Sequence, residues 1–165
     1  MYEYSPSPKK ATEKLLMGLC LLIGAVLYGF GQILPYPAIY QLLATACFAA
    51  VVIVTVRFLL RDYTYSVIEG EDGAVDLTVT EIMGRKRAVV CRVAIAEIGR
   101  IEPLKNHSKT DPKRAVYRYV SEFKPKDAYL LEILDEYEPY NLVICADETL
   151  IALLESNKKQ YLSEL

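Results

Sequence analysis

A long apolar stretch near the start of the chain is interrupted by a short segment with two prolines. No charged side chain occurs between Lys14 and Arg57, and one helix of that span, at about 1.5 Å of rise per residue, would far exceed the roughly 30 Å core of a bilayer. The prolines of the segment Pro35–Pro37 disfavour helix. The pattern therefore predicts two membrane-spanning helices, residues 15–34 and 38–60, joined by a turn. A soluble helix pair is the alternative, but a chain of 165 residues has little polar protein to cover it.

Basic side chains lie at both outer ends of this hairpin, whereas the loop between the spans has no charge. Lys9, Lys10 and Lys14 precede the first span, and Arg57 and Arg61 lie at the end of the second. Under the positive-inside rule we expect both termini in the cytoplasm. Because the first span is of full length and leads straight into a second, a retained anchor is favoured over a signal peptide.

From Tyr63 onward the periodicity changes to short alternating segments separated by turn residues, which is typical of strands and hairpins. Seven strand candidates follow: YTYSVIE, AVDLTVTEIM, RAVVCRVA, IAEIGRIEPL, AVYRYVSEF, AYLLEILDE and YNLVICA. The period then changes again. Asp147 is a good N-cap, and Leu150, Leu153 and Leu154 form an apolar stripe, so a closing amphipathic helix is predicted.

These elements divide the chain into two parts. Residues 1–62 form an N-terminal tail and the transmembrane hairpin, and residues 63–165 form a β domain with a C-terminal helix. The predicted fold class is an α+β membrane protein. Its β part is expected to be a strongly bent antiparallel sandwich or barrel of about seven strands, capped by the helix.

The two parts differ in charge. Residues 1–62 carry five basic and three acidic side chains, whereas residues 63–165 carry 14 basic and 18 acidic ones. A mildly acidic domain argues against a general nucleic-acid binder, which needs a basic face to displace counterions from phosphates. The four cysteines fall in apolar segments and are interpreted as small buried residues rather than disulfides.

The sequence offers no machinery for catalysis or cofactor binding. The single histidine, His107, lies in a polar loop among lysines and has no obvious acid partner. Two groups of carboxylates fall in predicted turns, where solvated charge is expected: Glu69, Glu71 and Asp72, and Asp135, Glu136 and Glu138. Cysteine spacing gives no metal-ligand set, and the glycines form no nucleotide fingerprint. We therefore predict a protein that is not an enzyme and has no catalytic, metal or cofactor site.

The order of elements resembles a known family. A two-span hairpin followed directly by seven strands and a closing helix is similar to the bacterial pleckstrin-homology-like membrane proteins. The most similar stretch is MGRKRAVVCRVAIAEIGRIE, from Met83 to Glu102, where a strand, a glycine-and-basic turn, a strand and spaced isoleucines follow in the order common there. The resemblance implies a pleckstrin-like fold in a multi-pass protein of the bacterial plasma membrane. The chain has no tryptophan, unlike the closing helix of eukaryotic members, so no ligand preference carries over.

Arg85, Lys86 and Arg87 are the candidate contact residues. They lie in the predicted turn between the second and third strands, roughly where lipid-binding members of the wider superfamily hold phosphates. Near an anionic membrane each cation would add about 1 kcal/mol. An ordinary solvated turn is the alternative. The same two interpretations apply to a second basic loop: Lys105, Lys109, Lys113 and Arg114.

A protein partner is the other candidate ligand. Superfamily members also bind extended peptides by strand addition at a sheet edge beside the closing helix. Five tyrosines could line such a surface or be ordinary strand residues: Tyr117, Tyr119, Tyr129, Tyr137 and Tyr140.

The leading hypothesis is a non-enzymatic integral membrane protein that displays a pleckstrin-like interaction or scaffolding domain at the inner membrane face. One alternative is a module that senses anionic lipid headgroups through the same three cations. Another is an accessory subunit of a larger membrane complex. Small residues in the spans favour close packing within the hairpin, and self-association into a homo-oligomer is a further alternative; the glycines are Gly18, Gly24, Gly29 and Gly31.

Overall fold

A computed structural model describes residues 2–7, 10–70, 73–106, 114–135 and 137–164. Within these ranges the chain divides into two compact units, a helical one and a β one. Several residues that the sequence places in loops or flanks lie outside the described ranges: Lys9, Glu71, Asp72, His107, Lys109, Lys113 and Glu136.

The helical unit is a pair of apolar helices. Helix α1 spans Ala11–Phe30 and helix α2 spans Pro37–Val54, continued by a π-helical turn over Thr55–Leu59. Both α1 and the extended second helix are long and apolar enough to cross a membrane. The structure therefore confirms two candidate spans, although each boundary differs from the predicted one.

The segment between the helices is a turn, as its prolines predict. Helix α1 ends four residues earlier than expected, and the N–H of Gly31 bonds to the carbonyl of Leu27 at 3.0 Å. Tyr36 adopts a left-handed φ of 66°. Pro37 then occupies the first position of α2, where its missing N–H costs no helical hydrogen bond.

Two charged side chains are buried at the base of this unit. Lys10, just before α1, donates through Nζ to the carbonyl oxygens of Leu59 at 3.1 Å and Arg61 at 3.2 Å. A cation there stabilises the carbonyl-rich end of the second helix. Glu13 accepts the backbone N–H of Phe123 at 2.6 Å. Lys10 is thus a packing residue as well as a flanking charge.

The glycines of α1 have different surroundings. A Cβ added at Gly24 would lie 3.1 Å from the Phe48 ring, and one at Gly31 would lie 2.6 Å from Cβ of Tyr40. At Gly18 and Gly29 no described atom lies within 4 Å of such a Cβ. The first pair therefore permits close approach of the helices, whereas the second pair does not take part in it.

We predict opposite effects of alanine at two neighbouring glycines. Gly31→Ala should destabilise the hairpin by about 1–3 kcal/mol, because its methyl group overlaps Tyr40. Gly29→Ala, the matched control, should be neutral or stabilising because alanine favours helix. Thermal unfolding of the full chain in detergent, followed by helical circular dichroism, measures both. Equal effects of the two changes would contradict the packing role of Gly31.

The β unit contains two four-stranded sheets and a helix. The first sheet has the order β1-β2-β3-β4, with β1 at Tyr2–Tyr4, β2 at Arg61–Glu69, β3 at Val75–Met83 and β4 at Lys86–Ala94. The second has the order β5-β7-β8-β6, with β5 at Ile98–Pro103, β6 at Val116–Tyr119, β7 at Ala128–Ile133 and β8 at Tyr140–Cys145. Helix α3 spans Glu148–Glu164.

All seven predicted strands and the closing helix are present, but three details differ from the expectation. An eighth strand, β1, precedes the hairpin and pairs antiparallel with β2. The second sheet is mixed, because β6 runs parallel to β8. The described strands form two sheets rather than a closed barrel. The parallel pair arises because residues 120–127 carry the chain past β8 instead of closing a tight hairpin between β6 and β7.

Helix α3 begins as the sequence predicts. Oδ1 of Asp147 accepts the N–H of Leu150 at 2.8 Å, which is N-cap geometry. Its Oδ2 accepts the hydroxyl of Tyr2 at 2.9 Å, so the same carboxylate also holds β1. Leu150 and Leu154 are fully buried in the core formed by both sheets.

Tyr65 of β2 crosses this core and is fully buried. Its hydroxyl donates to the carbonyl of Tyr119 at 2.5 Å and accepts the N–H of Cys145 at 3.2 Å. Burial is the main cause that raises the pKa of this phenol. One neutral hydroxyl thus joins the first sheet to β6 and β8.

Removing that hydroxyl should loosen the second sheet. Tyr65→Phe leaves the Tyr119 carbonyl and the Cys145 N–H unpaired, at a cost of about 1–3 kcal/mol. We expect faster backbone hydrogen exchange in β6 and β8, measured by mass spectrometry on the full chain. Tyr129→Phe is the matched control, since no described group pairs with its hydroxyl. If both variants exchange like the wild type, the Tyr65 hydroxyl does not hold β6.

Candidate functional site

A cavity of about 700 Å³ opens in the β unit between β4, β6 and the segment that leads into β8. Across it, the Tyr119 hydroxyl reaches the carbonyl of Val90 on β4 at 3.4 Å. The residues that line it are Cys91, Arg114, Ala115, Tyr117, Tyr119, Asp135, Tyr137, Glu138, Pro139 and Tyr140. None of these residues belongs to α3.

Tyrosine rings dominate the lining. Tyr117 and Tyr119 share one face of β6 because side chains alternate along a strand. Tyr140 begins β8, and its ring lies at 89° to that of Tyr117 with centroids 5.4 Å apart. Tyr137 is 90% exposed at the mouth of the cavity. The site therefore offers aromatic surface in several orientations.

Four of the five tyrosines that the sequence singles out lie in this cavity, and Tyr129 does not. Tyr129 lies on β7 and packs against the main core. The spacing of Tyr117 and Tyr119 was a usable signal, because alternate positions of one strand share a face. Cys91 carried no such signal, since only the fold brings β4 to the same place.

Carboxylates set the electrostatics of the cavity. Asp135 and Glu138 line it, whereas its cation, Arg114, forms an ion pair with Glu132. Burial, together with Cys91, Glu97 and Asp135 nearby, raises the pKa of Tyr140 to about 12.

Two more lining groups show the same environment. Burial is the main cause that raises the pKa of Tyr119, and the carboxylate of Glu81 adds to it. Burial also raises the pKa of the Cys91 thiol, and a hydrogen bond with Tyr140 offsets part of that effect. Cys91 is thus a protonated thiol at neutral pH rather than a reactive thiolate.

The basic residues predicted as contacts lie elsewhere. Gly84, with a φ of 61°, makes the turn between β3 and β4. Arg85 follows it, and Lys86 and Arg87 begin β4. All three cations are exposed, and within the described chain no ion pair involves them. The structure places them together at a hairpin tip and outside the cavity.

Among the described residues, no group of three or more His, Cys, Asp or Glu side chains is arranged to hold a metal ion. Comparisons with protein-family models, curated proteins and solved structures find no match to this chain.

Proposed function

We propose that the chain is a two-span membrane protein that displays a non-enzymatic, pleckstrin-like interaction domain at the cytoplasmic face of a bacterial plasma membrane. Apolar side chains of the hairpin support its membrane part. Leu15 is 75% exposed and Leu42 is 73% exposed, and many neighbours are exposed as well. Contiguous apolar surface of this kind is unfavourable in water and favourable in lipid.

Strand pairing supports a single side for both ends of the hairpin. β1 precedes α1, β2 follows the second helix, and the two strands are hydrogen-bonded. The N-terminal segment and the β domain therefore belong on one side of a membrane. The basic flanks assign that side to the cytoplasm.

The cavity is the observation that carries the binding function. The second sheet ends at β6, and β8 pairs with only one edge of that strand. A free strand edge beside an aromatic-lined cavity suits an extended peptide, which can add backbone hydrogen bonds while its side chains fill the cavity. A protonated Cys91 favours binding over nucleophilic chemistry there. The two sheets with a closing helix support the pleckstrin-like assignment.

A display selection tests this function without assuming the ligand. Random peptides are selected on the full chain in nanodiscs, and the enriched clones are then tested on Tyr137→Ser and Tyr117→Ser. Both positions are exposed, so the fold should survive. We expect about tenfold weaker binding to these variants, since a buried aromatic anchor is worth more than 1 kcal/mol.

Tyr161→Ser on α3, also at an exposed position, is the matched control and should bind like the wild type. No enrichment on the wild type would contradict the proposal. Enriched peptides that bind all three variants equally would do so as well.

The exposed basic tip favours lipid sensing as a second candidate function. Arg85, Lys86 and Arg87 lie between the exposed apolar side chains of Met83 and Val89. Such a tip can place cations among headgroups and apolar atoms just beneath them. The short connection to the second helix would make even a weak contact effective.

Protease protection tests the lipid contact in the full chain. We expect trypsin to cleave after Arg85–Arg87 more slowly in anionic nanodiscs than in neutral ones, and 0.5 M salt, about the range in which exposed charges are screened, should remove the difference. Cleavage after Lys159, an exposed residue of α3, controls for effects of lipid on trypsin itself. Equal rates at the tip in both lipids would leave it an ordinary solvated turn.

A further inference from the structure

The carboxylates around the tyrosine cavity are not neutralised by its described cation. Arg114 lines the cavity, but its guanidinium pairs with Glu132. Asp135 and Glu138 line the cavity as well. The potential inside is therefore negative, and a ligand that carries positive charge is favoured.

The lining tyrosines suit the same kind of ligand. The face of an aromatic ring carries partial negative charge, so it attracts an ammonium or guanidinium group within about 6 Å of its centre. Two perpendicular rings, Tyr117 and Tyr140, lie 5.4 Å apart, and Tyr137 stands at the mouth. A cation in this corner can contact ring surface from more than one direction. It loses less hydration when the group is a methylated ammonium.

We propose that the cavity recognises a lysine or arginine side chain on an extended peptide. This inference rests on the proposed peptide-binding function and adds the chemistry of the anchoring residue. The peptide lies along the free edge of β6, and its cationic side chain enters between the rings and faces Asp135 and Glu138.

An anionic or neutral anchor fits less well. A phosphorylated or acidic side chain would meet Asp135 and Glu138 and would have to displace Glu132 from Arg114. A neutral apolar side chain would bury the carboxylates without a partner, which costs free energy. Charge complementarity therefore decides between these anchors.

A matched set of peptides tests the anchor. The full chain in nanodiscs of neutral lipid is titrated with a fluorescent seven-residue peptide of alternating valine and lysine, followed by anisotropy. Neutral lipid prevents adsorption of the basic peptide to the bilayer. Two further peptides carry trimethyl-lysine, which keeps the charge, or acetyl-lysine, which keeps the length and loses the charge. We expect trimethyl-lysine to bind at least as tightly as lysine and acetyl-lysine to bind about tenfold more weakly.

Variants locate the binding. Asp135→Asn combined with Glu138→Gln should weaken lysine-peptide binding by about two- to thirtyfold, and Tyr117→Leu should do the same, whereas Tyr117→Phe keeps the ring and should bind like the wild type. The matched controls on α3, Glu155→Gln and Tyr161→Leu, should have no effect, because both positions are exposed and distant in sequence from the lining.

Equal binding of the lysine and acetyl-lysine peptides would overturn the cationic anchor. So would lysine binding that none of the cavity variants weakens, or no binding of any of the three peptides. These outcomes leave the proposed function to the random-peptide selection, which contains neutral and acidic sequences. Enrichment of such sequences there, with loss on Tyr117→Ser, would keep peptide binding and reject only the cation.

Discussion

The buried hydroxyl of Tyr65 is the contact on which the arrangement of the β unit depends. A phenol in the core must satisfy its hydrogen bonds internally, and it finds a carbonyl on β6 and an N–H on β8. This fixes the parallel strand β6 against the first sheet. Because Tyr117 and Tyr119 lie on β6, the same contact sets the wall of the cavity. A residue far from the cavity surface therefore determines the shape of the site.

Local patterns in the sequence were sufficient for most elements. Alternating side chains identified β2 to β5 and β6 to β8, and the proline segment identified the turn between the apolar helices. The N-cap of α3 could be assigned to Asp147, because capping depends on residues only three positions apart. These features share one property: the interactions that create them are close in sequence.

The features that escaped prediction depend on contacts distant in sequence. Strand β1 has three residues, too few for a periodic signal, and its partner follows both apolar helices. The parallel pairing of β6 depends on the path of residues 120–127. The tyrosines were recognisable as a group, yet their union with Cys91 and Asp135 required the assembled sheets. The candidate site was thus predictable in residue type and only partly in position.

The pairing of β1 with β2 also has a consequence for biogenesis. During synthesis, Tyr2–Tyr4 leave the ribosome before the apolar helices, and their partner strand emerges only after both. In a membrane the two strands meet only when both helices have crossed, since a single crossing would leave them on opposite sides. Completion of the first sheet is then a structural check on insertion: a wrongly inserted chain exposes the edge of β2 and loses the hydroxyl of Tyr2 at Asp147, features by which quality-control proteases can distinguish it.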